Sequence, residues 1–139
     1  MVLRRIDLQK LADRKIESAQ VLAENKHWSN SYYLAGYSVE MALKAIIAKQ
    51  ISADTLPDKS LINKVYTHDI NQLLGLAGLR SEHTALVSQD SLFGANWSIC
   101  SEWSPESRYE ERSAAEAHFL IVAVTQANHG VLPWIRNYW

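Results

Sequence analysis

The chain has 139 residues, of which 47% are apolar and 21% charged, with a formal net charge of -1. That length carries one domain with a real core, and the composition is that of an ordinary soluble globular protein. The charge balance excludes a general polyanion binder, which needs a basic excess. A single cysteine, Cys100, excludes an internal disulfide and fits a reducing compartment.

The opening MVLRRIDLQKLADRK is charged and amphipathic and lacks the apolar centre of a signal peptide, so a cytoplasmic location is expected. Over 6–24, Leu8, Leu11, Ala12, Ala19, Leu22 and Ala23 recur at helical spacing, with Lys10, Arg14, Glu17 and Glu24 mostly elsewhere. This predicts an amphipathic first helix. A polar connection over 25–31 leads to YYLAGYSVEMALKAIIA, residues 32–48, which predicts a central helix of about four turns. Its apolar residues point in every direction, as in a buried helix. Glu40 and Lys44 interrupt it, four apart and on one face. A buried carboxylate needs a partner, and for Glu40 this is expected to be Arg108, His68 or a tyrosine hydroxyl. Gly36, one turn earlier, leaves room for another backbone or a ligand to approach.

Residues 51–64 contain Pro57 and read as an exposed loop, longer than a bundle needs. Thr67 or Asp69 caps a short helix carrying Ile70, Leu73 and Leu74, stopped by Gly75 or Gly78. A weaker helical stretch over 81–100 is expected to break near Gly94. Residues 101–112 are polar, with Trp103 and Pro105. Ser113 and Glu116 then match a capping box, opening an apolar helix to about Asn128. Trp134, Ile135 and Trp139 are expected to fold back onto the bundle after Gly130 and Pro133. The longest strongly apolar run, 119–124, is too short to span a bilayer. The pattern predicts an all-α fold, an antiparallel up-and-down bundle of four to five helices in one domain.

The segments YYLAGYSVEMALKA, THDINQLL, WSPESRYE and GVLPWIRNYW, in that order across nearly the whole chain, resemble a HEPN (higher eukaryotes and prokaryotes nucleotide-binding) domain. The resemblance implies a four- or five-helix bundle, often a homodimer. It also implies a nucleotide- or partner-binding role beside a small nucleotidyltransferase, in toxin–antitoxin or defence settings. It matches Glu40, Lys44, His68, Arg108 and Tyr109 to family segments, and a bundle can gather them around the polar spot on the central helix. Arg108 is then placed to hold Glu40 or an incoming phosphate, and Lys44 offers a point charge. The alternative is an internal salt-bridge network that orients 103–109 against the bundle.

A catalytic subset of the family cuts RNA without metal, with an arginine followed four to six residues later by a histidine. Here the matching string is Arg112-Ser-Ala-Ala-Glu-Ala-His118, with Ser113 where a larger polar residue is common. In that alternative reading His118 moves the 2′-hydroxyl proton and Arg112 holds the phosphate. If both are helical they stand about 120° apart, so a solvated arginine and a packing histidine are the other reading. The histidines show no HExxH spacing, and there is no paired cysteine, glycine-rich phosphate loop or GxSxG elbow. No metal or cofactor is therefore expected.

Overall fold

The computed structural model describes residues 2–139. Helix α1 (Arg5–Glu24) and helix α2 (Trp28–Ala48) form a long antiparallel hairpin. The pairing follows from the contacts along it. Ser31 Oγ donates to the Ala19 carbonyl at 2.7 Å, and Lys15 Nζ stands 4.6 Å over the Tyr37 ring. Ala12 and Ala19 on α1 and Ala35 and Ala42 on α2 have no exposed surface. Small side chains at that spacing let the two backbones approach closely. The connection is only residues 25–27, turned by Lys26 at φ +64°. α2 thus begins four residues before the expected start. Ser31 is polar but fully buried, and its hydroxyl is satisfied by α1.

Two short helices and two of ten residues or more follow: α3 (Lys59–Val65) and α4 (Ile70–Leu76), then α5 (Arg80–Gln89) and α6 (Ser91–Ser101). α3 occupies the end of the expected loop because Asp58 caps it, accepting from the Ser60 N–H at 2.8 Å. Only Leu61 and Val65 of that turn are even half-buried, too little apolar periodicity to read from sequence. Asp69 caps α4 as expected, accepting from the Gln72 N–H at 3.0 Å. The break between α5 and α6 falls at Asp90, not Gly94. Asp90 accepts from the Phe93 N–H at 3.0 Å, starting α6, and Gly94 stays helical. A Cβ at Gly94 would stand 3.3 Å from Val87, so this glycine lets α5 pack closely on α6.

A 3₁₀ turn (Pro105–Tyr109) leads to α7 (Ala114–Thr125), opened by the Ser113–Glu116 capping box. α7 ends three residues before Asn128, which adopts φ +67°. Helix α8 (Val131–Arg136) folds back, with Trp134 and Ile135 buried and Arg136 paired to Asp13 at 2.7 Å. Asp90 meets His129 at 2.6 Å and Asn96 meets Gln126 at 2.9 Å, so α6 and α7 run antiparallel.

The chain is an all-α bundle, in which α1, α2, α5, α6 and α7 are the helices of ten residues or more. α2 lies at its centre, touching α1, α4, α7, α8 and the 3₁₀ turn. Among the described residues no helix is long and apolar enough to cross a membrane.

Candidate functional site

Glu40 sits mid-way along α2 with no exposed surface. Its Oε1 lies 2.8 Å from His68 Nδ1. Its Oε2 lies 3.3 Å from Lys44 Nζ, one turn on. Lys44 compensates the charge, yet it is not aligned to donate, and Oε2 is a buried acceptor with no hydrogen-bond donor. Leaving such a group unsatisfied costs about 1–3 kcal/mol. His68 is delivered by the cap that follows it. Asp69 starts α4, whose Ile70, Leu73 and Leu74 are anchored in the core. The His68 side chain remains 48% exposed, so it faces both Glu40 and solvent.

These three residues line a cleft of about 550 Å³ along the α1–α2 seam, closed on its third side by 65–68. Leu8 and Leu11 of α1, Met41 and Ile47 of α2, and Val65 make its apolar walls. Lys15 and Tyr37 stand at the Glu40 end. Burial, and then Glu40 itself, raise the Tyr37 phenol above its ordinary pKa. Tyr66 lines the same cleft and is 76% exposed. An apolar chamber with a few convergent polar groups is the usual form of a small-molecule site.

Arg108 and Tyr109 are not part of this cluster. Of the partners expected for Glu40 (Arg108, His68 or a tyrosine hydroxyl), it takes His68, with Lys44 one turn on, and the Arg108 alternative is corrected. The reason lies in the 3₁₀ turn, which buries Ser107 against the bundle and so turns Arg108 and Tyr109 outward. The Arg108 guanidinium lies 4.9 Å over the Tyr109 ring, and the Tyr109 and Tyr33 hydroxyls raise its pKa. What docks this segment on α2 is Trp103. Its Nε1 donates to the Tyr33 carbonyl at 3.1 Å, and its indole stacks on Tyr33 and meets Tyr37 edge-on.

Arg112 and His118 do not meet within the chain. Arg112 reaches Glu116 at 2.9 Å, also pairs with Glu110, and lies 4.3 Å over the Tyr32 ring. Its backbone N–H donates to Ser29 Oγ at 2.8 Å. Burial works against its charge, but Glu116, Tyr32 and Glu110 outweigh that and hold its pKa above the ordinary value. His118 is exposed on α7 beside Phe119 and makes no hydrogen bond among the described residues. The described residues contain no group of three or more His, Cys, Asp or Glu placed to hold a metal ion.

No family model, curated protein or solved structure was found to match this chain. The site therefore has to be read from its own chemistry. Two of its members were missed by sequence reasoning. Lys15 was legible, because it continues the Leu8–Leu11 stripe by one further turn and so faces α2. Tyr66 carried no signal, lying just past the end of a helix that the sequence did not announce.

Proposed function

We propose that the protein is a HEPN-like binding module that takes a nucleotide or a related phosphate-bearing ligand in the α1–α2 cleft. The observation that carries the reading is the state of Glu40: fully buried, charge-compensated by Lys44, and with an oxygen that no donor satisfies. A ligand N–H or O–H entering the cleft completes that group. With Lys44 balancing Glu40, Lys15 leaves the cleft net positive and favours a ligand of negative charge, and the leucines with Tyr66 accept a flat apolar ring. In this reading Arg108 and Tyr109 lie outside the pocket, on the outer side of the segment that Trp103 docks.

A homodimer and a small nucleotidyltransferase partner belong to the same proposal, and both rest on the family resemblance. α7 exposes His118 and Phe119, the latter 60% exposed. Two-fold pairing across that face would set two copies of Arg112 and His118 near one another. The direct test is calorimetric titration with the four common ribonucleoside phosphates. Micromolar to millimolar binding that weakens in Lys44→Ala and His68→Ala is expected. Absence of heat with all four, in protein shown to be folded, overturns the reading.

A further inference from the structure

The cleft does not end with the residues around Glu40. Its walls run along both helices, from Lys15, Tyr37 and Glu40 at one end to Leu3, Ala48 and Ile51 at the other. Leu3, Ala48 and Ile51 also line a second hollow of about 440 Å³, whose other lining residues are Arg4, Arg5 and Lys49. The two hollows form one groove with a buried acceptor at one end and three cations at the other.

The cations differ in what already satisfies them. Lys44 faces the Glu40 carboxylate, Lys15 lies over the Tyr37 ring, and Arg4 is paired with Asp7 at 3.0 Å. Arg5 and Lys49 have no carboxylate within ion-pair distance among the described residues; Lys49 donates only to the neutral Tyr138 carbonyl. Uncompensated positive charge is therefore concentrated at the mouth, where an anion is attracted most and displaces no existing pair. Glu40 and Lys49 are nine positions apart on α2, about 13.5 Å along its axis. That separation suits a molecule with a hydrogen-bond donor at one end and an anionic group at the other.

Resting on the nucleotide reading above, we infer that the ligand is a nucleoside polyphosphate bound base-inward. The base edge donates an N–H to Glu40 Oε2, the ring lies between the leucines and Tyr66, and the phosphates reach Arg5 and Lys49. Lys44 stays with Glu40 and is not the phosphate site. Because His68 holds the other carboxylate oxygen, Glu40 has one oxygen left without a donor, which suits a base edge with a single donor group. Adenine and cytosine fit this.

The test compares adenosine with adenosine 5′-diphosphate by calorimetry on the wild type, Arg5→Ala, Lys49→Ala and the double variant. Circular dichroism confirms that each variant is folded, and Arg5→Glu supplies a charge reversal that leaves Lys49 and its Tyr138 contact untouched. Adenosine is expected to bind every variant alike. Diphosphate is expected to bind wild type more tightly than adenosine does, and to lose about three- to fivefold with each single substitution, as screened exposed charges do. That loss should shrink as salt rises. If diphosphate affinity is unchanged in the double variant but falls in Lys44→Ala, the phosphates lie at the inner end and this inference fails while the nucleotide reading stands. If neither adenosine nor any nucleoside phosphate binds wild type, both fall.

Discussion

The indole of Trp103 occupies the space that a side chain on Gly36 would need: a Cβ built there falls 2.1 Å from Trp103 Cγ. One missing methyl group thus lets residues 103–109 close over α2. Gly36→Ala gains helix propensity of about 1 kcal/mol, but it must displace an indole that is 2% exposed. Overpacking of a filled core costs about 1–3 kcal/mol, and displacing the indole adds lost burial. A net destabilisation of about 1–3 kcal/mol is expected in urea unfolding, with altered tryptophan emission. An alanine variant as stable as the wild type would contradict the packing described here.

The buried carboxylate on the next turn gives a second prediction. Removing Glu40 leaves Lys44, with 15% of its side chain exposed, without its counter-charge in an apolar cleft. Glu40→Ala should cost about 3–5 kcal/mol, the usual penalty for breaking a buried pair from one side. Glu40→Gln keeps the volume and a contact to His68 and should cost clearly less. Equal losses for the two variants in chemical unfolding would mean that the charge, which both remove, and not the volume, is what Glu40 supplies.

Acid sensitivity should be traceable to named groups. Burial, with Arg80 adding to it, lowers the pKa of His83, whose ring packs on Trp97 at 4.4 Å. The unfolded chain takes up a proton near pH 6.5, and native His83 resists it. Stability is therefore lost as pH falls from about 6.5 through the lowered native value. Asp90 and Glu116 also have lowered pKa values. The Phe93 N–H and His129 hold Asp90 down; Arg112 and Ser113 hold Glu116 down. Their contribution is complete above the ordinary carboxylate range and is lost as pH falls through their native values. Two steps are expected in a stability–pH curve, and His83→Phe should remove only the upper one.

Cys100 is 1% exposed, and burial pushes its thiol pKa up. The thiolate is the reactive form, so native protein should be inert to a thiol reagent at pH 8 and react stoichiometrically in denaturant. Rapid labelling of native protein would show that α6 opens locally.

Much of this was legible in the sequence, for reasons that differ by element. α1 and α2 announce themselves because twenty-residue stretches sum many weak preferences, and the Ser113–Glu116 box names its helix start chemically. The need of Glu40 for a partner followed from its apolar surroundings. Which partner it took did not. Arg108, His68 and a tyrosine hydroxyl were all chemically suitable, and only the outward turn after Ser107 decides against Arg108. α3 and the Asp90 break were hidden because each depends on one aspartate side chain rather than on a periodic pattern. The mouth cations were invisible for another reason: Arg5 and Lys49 are joined only by the antiparallel pairing of α1 with α2.

The last prediction separates ligand binding from RNA cleavage. For Arg112 to hold a phosphate it must give up Glu116 at 2.9 Å and Glu110, and leave the face of Tyr32. His118 has no group to orient its ring or fix its tautomer among the described residues, whereas a general base usually has one. Purified protein is therefore expected to leave single-stranded RNA intact in the presence of a chelator. Arg112→Ala should act on stability instead. Two exposed ion pairs and one cation–π contact together amount to about 1–2 kcal/mol. Ligand binding in the cleft should be unaffected by that substitution. Chelator-resistant cleavage that disappears in His118→Ala, with the fold intact by circular dichroism, would instead make the protein a metal-independent ribonuclease. Sedimentation run alongside bears on the same choice, because Arg112 and His118 can form a joint site only in a dimer. A 15.8 kDa species alone at micromolar concentration would leave the pair apart.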